Sequence, residues 1–219
     1  MNFELTPEQV AFRDAVRGFA EKHLREGALA RAHSPDHPWD VARLMARQGL
    51  LGITIPEADG GQGGTLMDAI IAIETVAPSC PRSADVVQAG NFGAIRVLAE
   101  YGSAGQKKRY LDRLLSGDGV ICVGMTEPEA GSAVTDLKTA AKPDGAGYRV
   151  SGEKIFTTHA QYADVMVAYV RFGPGVGGIG SVLIERNAPG VKQGKPSRFM
   201  NGEEWVTTYF DNVYVPPEN

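Results

Sequence analysis

The feature that most constrains this chain is a change of period near residue 118. Upstream of it, apolar residues recur at helical spacing. Downstream, short β-branched and aromatic runs alternate with turn residues, and no helical stretch separates them. That pattern predicts a multi-domain α+β protein, with an N-terminal all-α helical domain over residues 1–118 and an antiparallel β-barrel domain over 119–219. The full length of 219 residues suits one or two domains of this kind.

Local signals fill in the helical half. Thr6-Pro7-Glu8-Gln9 reads as a capping box with proline where a missing N–H is harmless, and Leu5 and Val10 are spaced as a hydrophobic staple. Phe12, Ala15, Val16, Phe19 and Ala20 then mark one helix face. Further helices are predicted over 39–48, 66–76 and 85–101, and a second capping box at Ser103–Gln106 opens one more, ending at Ser116-Gly117. In the β half, strands are predicted over 120–123, 148–150, 155–158, 165–172, 181–184 and 205–215. Asp144-Gly145-Ala146-Gly147 and residues 172–180 read as hairpin connections.

Composition removes several classes of function. The chain has 22 Lys+Arg against 26 Asp+Glu, a formal charge of -4, and no basic stripe, which speaks against nucleic-acid binding. No apolar run is long enough to span a bilayer. The opening Met1-Asn2-Phe3-Glu4 lacks the charged and apolar regions of a secretory signal, so a cytoplasmic location is expected. Cys80 and Cys122 cannot make a disulfide framework or a metal cluster by themselves, and both are expected to be buried or free thiols. His33 and His37 sit in a Pro-rich segment read as a loop, and no histidine has metal-ligand spacing, so no metal site is expected.

Several motifs have ordinary explanations. Gly175-Val176-Gly177-Gly178-Ile179-Gly180 matches a dinucleotide fingerprint in letters, but strand and turn follow it where a helix is needed, so it reads as a hairpin turn. Gly60-Gly61-Gln62-Gly63-Gly64 lacks the Lys-Ser/Thr of a phosphate loop and reads as a plain loop. No G-x-S-x-G elbow occurs. The most informative segment is Val123-Gly124-Met125-Thr126-Glu127-Pro128-Glu129-Ala130-Gly131-Ser132, where a strand ends in a small-residue turn. Such a turn can present closely spaced N–H donors to an anion, or be only a β-turn.

That segment resembles the flavin-binding signature of the acyl-CoA dehydrogenase family. Four other stretches match in order: the opening Leu5-Thr6-Pro7-Glu8-Gln9; Gly49-Leu50-Leu51-Gly52-Ile53 with the loop from Pro56; Gly102-Ser103-Ala104-Gly105-Gln106-Lys107-Lys108-Arg109-Tyr110-Leu111; and Gly152-Glu153-Lys154-Ile155-Phe156-Thr157-Thr158. A last match, Asn212-Val213-Tyr214-Val215-Pro216, resembles the strand that leaves the family's middle domain. The resemblance covers essentially the whole chain.

The resemblance implies FAD as cofactor, held by Val123, Met125, Thr126, Gly131, Ser132, Phe156, Thr157 and Thr158. Met125 and Thr126 would face the pyrimidine end of the flavin, and Gly131 and Ser132 the pyrophosphate. Ser132 would also touch the acyl-CoA substrate. Phe156 would pack on the flavin face away from substrate, and Thr158 would lie near N5. The implied reaction is α,β-dehydrogenation of an acyl-CoA thioester to the 2-enoyl-CoA, as in fatty acid metabolism. A carboxylate takes the α-proton and the β-hydrogen leaves as hydride to N5. In the family the base is a glutamate of a C-terminal helical domain. No catalytic residue of this chain matches it; Glu127 and Glu129 lie near the flavin loop, and Glu127 belongs to the Thr-Glu-Pro turn. A third segment beyond residue 219 is therefore expected. The resemblance also implies an electron-transfer flavoprotein as acceptor and a homotetramer or dimer. Residues 86–95 are expected to contribute to the floor of the acyl pocket.

Three departures bear on the subfamily. Ala133 stands where the family often has Asp, Phe156 where many members have Trp, and His159 where many have Asn; His159 reads as an ordinary surface histidine. The competing readings are a related acyl-CoA oxidase or flavin monooxygenase, and a non-catalytic two-domain fragment.

Overall fold

The computed structural model describes residues 4–200 and 202–219; the Met1-Asn2-Phe3 opening lies outside the described residues. Two compact units divide it, one built from residues up to Glu100 with Tyr110–Asp118, the other from Tyr101–Arg109, Gly119–Phe199 and Glu204–Asn219.

The first unit is helical. Among the described residues, seven helices precede the first strand: α1 (Pro7–His23), α2 (Ala28–His33), α3 (Trp39–Arg47), α4 (Leu66–Val76), α5 (Pro81–Ala89), α6 (Ala94–Tyr101) and α7 (Ala104–Leu115). Both predicted capping boxes form. The Gln9 N–H donates to the Thr6 hydroxyl, while the Thr6 N–H donates to the Gln9 side chain. Ser103 and Gln106 repeat the exchange at α7. A third box, Thr65 with Asp68, opens α4. The apolar stripes meet in one core, with Val16 and Ala20 of α1 and Leu24 just after it packed with Val41 and Met45 of α3, Ala69, Ala72 and Val76 of α4, and Ala84 and Val87 of α5. Each fully buried large aliphatic side chain here contributes about 1.5–3 kcal/mol relative to exposure.

Two helix expectations need correction. The single helix predicted over 85–101 is two helices, α5 and α6. The break at Gly90-Asn91-Phe92-Gly93 is held by the buried Asn91 amide, which donates to the carbonyls of Leu50 (2.8 Å) and Val87 (2.7 Å). Gly93 at φ +64° takes a backbone that a side chain would strain. The segment around His33 is the helix α2 rather than a loop.

The glycine-rich loop is structural. Its backbone folds onto residues 52–55, with Gln62 N–H donating to Gly52 O, Gly63 N–H to Ile55 O and Gly64 N–H to Ile53 O at 2.7–2.9 Å. A Cβ on Gly61 would lie 2.1 Å from the Ile55 carbonyl oxygen. Close backbone approach, rather than phosphate binding, accounts for glycine there.

The second unit carries a curled sheet of β1 (Ile121–Gly124), β2 (Ala140–Asp144), β3 (Gly147–Thr158), β4 (Val165–Arg171), β5 (Ile179–Glu185), β6 (Val191–Gln193), β7 (Ser197–Arg198) and β8 (Glu204–Val215). The order is β1-β4-β2-β3-β8-β6, with β5 on β4 and β7 on β8. The pairs β2–β3, β3–β8, β4–β5, β6–β8 and β7–β8 are antiparallel, as expected. The β1–β4 pair is parallel, as is the single contact between β2 and β4, because the intervening β2–β3 hairpin returns the chain alongside β1 in the same direction. The two strands predicted over 148–150 and 155–158 are one long strand, β3, with register shifts where it bends. Residues 172–180 form the predicted hairpin, and no helix follows the glycines there.

Candidate functional site

Two sequence-distant segments are tied together at the end of β1. The Ile155 N–H donates to the Thr126 carbonyl at 2.8 Å. One residue earlier, the Lys154 ammonium donates to the Met125 carbonyl at 3.1 Å and to the Glu127 carboxylate at 2.7 Å. These bonds hold the loop after β1 against the middle of β3, so Met125 and Thr126 lie beside the run Phe156-Thr157-Thr158.

The loop then closes on itself. Glu127 N–H donates to Ala130 O and Ala130 N–H returns to Glu127 O, leaving Pro128-Glu129 as a two-residue turn. Gly131 and Ser132 follow it, both exposed, and a Cβ on Gly131 would meet nothing within 4 Å. Val123 is half-buried within β1.

Glu127 organises this turn. It is 6% exposed, and its carboxylate accepts from the backbone N–H groups of Lys138 (2.5 Å) and Thr139 (3.0 Å) as well as from Lys154, which is wholly buried. Burial by itself would push the carboxyl up, but the bonds from Lys138, Lys154 and Thr139 outweigh it and hold Glu127 below its ordinary value of 4.5. Burial likewise brings Lys154 down, against the pull of Glu127. A carboxylate with its lone pairs engaged and its acidity raised is a poor proton acceptor, so Glu127 is a turn anchor. Glu129 pairs with Lys138 in solvent.

Because the folded pKa is depressed, Glu127 contributes stability that is present above pH 4.5 and lost as pH falls through the folded value. Stability followed by denaturant unfolding between pH 3 and 7 should therefore drop on the acid side, and Glu127→Gln should flatten that limb. A limb equally steep in the variant would assign it to other carboxylates.

Phe156 is the strained element. The β3–β8 register shifts between Lys154 and Thr157, and Phe156 sits in this bulge at φ +55°. An aromatic residue in the left-handed region costs about 1–3 kcal/mol and persists only when its surroundings enforce it. The ring is 56% exposed, edge-on to Trp205 with centroids 4.7 Å apart. Beside it the Thr157 hydroxyl is buried with no hydrogen-bond partner, and Thr158 is half-buried. His159, also at positive φ, is 7% exposed with its ring 5.5 Å from that of Tyr162. It is therefore not the surface residue expected. Phe156 in the bulge and His159 at the turn after β3 both take left-handed backbone at positions that the sequence does not mark with glycine.

Both cysteines are buried and free, and burial pushes the Cys122 thiol up to about 12, which removes it as a nucleophile. Among the described residues no His/Cys/Asp/Glu group could hold a metal, and no helix is long and apolar enough to cross a membrane.

Comparison with known proteins meets this geometry. The family model "Acyl-CoA dehydrogenase, N-terminal domain" matches residues 6–118, and "Acyl-CoA dehydrogenase, middle domain" matches 122–213. The chain belongs to the acyl-CoA dehydrogenase family. It is 31% identical over 219 residues to an acyl-CoA dehydrogenase of Bacillus subtilis, covering 98% of this chain and 58% of that protein. It is 30% identical over 218 residues to a 3-sulfinopropanoyl-CoA desulfinase of Paraburkholderia xenovorans, covering 97% and 56%. The butyryl-CoA dehydrogenase structure from Megasphaera elsdenii superposes with a TM-score of 0.87 at 28% identity, covering 100% of this chain and 59% of that one. The chain thus spans a little over half the length of these relatives, whose names differ in both acyl group and reaction.

Proposed function

We propose that this chain supplies the helical and flavin-cradling parts of an FAD-dependent enzyme that dehydrogenates an acyl-CoA thioester to its 2-enoyl form. The observation that carries the reading is the pair of bonds, Ile155 N–H to Thr126 O and Lys154 to Met125 O, which brings the loop of residues 123–132 to a strained, exposed Phe156. The residues present suit FAD. An exposed aromatic face, a buried hydroxyl without a partner at Thr157 and an open Gly131-Ser132 turn are the kinds of groups that a flavin ring and its phosphates engage.

Bound there, FAD would supply the hydride acceptor. Met125 and Thr126 would hold its pyrimidine end with fixed donors, which favour charge gathering there. Gly131 and Ser132 would receive the pyrophosphate, with Ser132 also against the acyl-CoA. Phe156 would cover the ring, and Thr157 and Thr158, with Val123 at the strand end, would complete the cradle. The proton acceptor is assigned to a C-terminal domain, in keeping with the share of the relatives' length that this chain spans. The matched ranges 6–118 and 122–213 support a helical domain over 1–118 and a flavin domain over 119–219. The same reading takes an electron-transfer flavoprotein as acceptor and a homo-oligomer, tetramer or dimer, as the working form.

The test uses the complete protein. It should purify with flavin absorbance that bleaches anaerobically on addition of an acyl-CoA and returns slowly in air. Rapid return in air would favour an oxidase, and absence of flavin would overturn the reading. Phe156→Gly separates cradle from scaffold. Relief of the left-handed strain offsets the lost Trp205 contact, so fold stability should stay within about 1 kcal/mol. Flavin affinity, measured by fluorescence titration, should fall about tenfold.

A further inference from the structure

Trp205 is a large ring on the outer face of the sheet. Its neighbours on β8, Glu204 and Val206, are 8% and 0% exposed, so strand alternation turns Trp205 outward, where it is only half-buried. Its partner across the β3–β8 ladder is Thr158. Antiparallel partners carry their side chains on one face, with Cβ atoms about 4.5–5.5 Å apart. Whatever touches the Thr158 side chain therefore lies beside the indole. The same indole meets the exposed Phe156 ring edge-on, at an interplanar angle of 62°. Phe156 reaches that contact from a left-handed bulge, a strained backbone of the kind that clusters at ligand clamps.

The indole is also held in place. One residue before it, the Glu204 carboxylate accepts from the Arg198 guanidinium at 2.7 and 3.1 Å and from the Gln161 amide at 3.3 Å. The Glu204 carbonyl accepts from the His159 N–H at 3.3 Å, which locks the start of β8 onto the end of β3. On its other side Trp205 pairs with Ser197 of β7. Three strands and an ion pair thus fix a ring that the core does not enclose. A rigid, half-exposed indole set against a strained, exposed phenyl ring makes an aromatic corner, open to a planar aromatic ligand.

We infer that Trp205 is a direct contact of the flavin ring and forms, with Phe156, the second wall of its platform. This rests on the FAD reading above, which sets Phe156 and Thr158 against the ring and leaves Trp205 without a role. Oxidised flavin is a flat, electron-poor ring and indole is an electron-rich one, so their contact attracts beyond the area that it buries. The contact also has an optical signature. An indole touching a photoexcited flavin lends it an electron and takes the electron back, so the emission is lost and both rings return unchanged. A phenyl ring cannot do this.

The test uses the complete flavin-loaded protein, oxidised and without substrate. Trp205→Phe should let the bound flavin emit several-fold more brightly, and Trp205→Tyr, which can also lend an electron, should restore part of the quenching. Trp205→Leu should weaken flavin binding about tenfold, read by titrating the flavin-free protein. Trp39→Phe removes the chain's other tryptophan, on α3, and should leave both readouts as they are. Melts of the flavin-free variants check that each still folds. Emission that stays at the native level in a folded Trp205→Phe overturns the proposal and assigns the outer face of Trp205 to a contact with protein. Equal brightening by Trp39→Phe also overturns it, since the quenching is then not a property of the corner. If the native protein binds no flavin, the FAD reading itself fails.

Discussion

Lys154→Met should lower the free energy of unfolding by about 3–5 kcal/mol, a large share of the roughly 5–15 kcal/mol that holds a typical domain. The lysine is wholly buried and Glu127 nearly so. Removing the ammonium leaves a carboxylate in the interior with two backbone donors and no counter-charge, and it also frees the Met125 carbonyl. Glu127→Gln in the same chain should recover much of the loss, since a neutral amide no longer needs a cation. Denaturant unfolding of the two variants checks this. A single variant as stable as the native protein would show that water reaches the pair. The loop of residues 123–132 hangs on these bonds, so on the proposed reading the single variant should also lose flavin affinity while still folded.

Gly61→Ala should cost about 3 kcal/mol through a different mechanism, overlap of a new methyl group with backbone. The nearest atoms are the carbonyl oxygen, Cβ and carbonyl carbon of Ile55, at 2.1, 2.5 and 2.6 Å, and none can swing away as a side-chain tip can. The neighbouring Gly60 is a useful control. A Cβ there would meet only the Leu115 side chain at 3.4 Å, although the positive φ of Gly60 adds its own smaller strain. Thermal melts of the two variants should separate clearly, with Gly61→Ala the lower. Equal melts would mean that the 52–55 backbone yields to the methyl group.

Legibility in the sequence follows the range of the interactions. Helix α4 falls where its apolar period placed it, and the Thr6 and Ser103 caps form because a cap involves residues three apart. The α5–α6 break was hidden because it depends on Asn91 reaching Leu50, 41 residues away. Strands β2, β6 and β7 are short and polar, and no alternation announces them. At the candidate site, the loop of residues 123–132 and the run 156–158 were visible as motifs. The buried state of Lys154 was not, because a lysine between two predicted strands carries no local sign of burial until Glu127 is placed opposite it. Phe156 in a left-handed bulge breaks a local rule, and only tertiary structure shows that it does.

The strand order has a consequence for synthesis on the ribosome. β1 emerges early yet pairs with β4, whose matching residues lie some 44 positions later, and the long edge of β3 waits for β8, which ends at Val215. Until then a twelve-residue strand offers unpaired backbone to any neighbouring chain. Folding of this region is therefore set by late, non-local pairing, with slow acquisition of structure and a window for aggregation that the locally wired helices do not share. Expression at lower temperature, or with chaperones that shield nascent strands, should raise the yield of soluble protein.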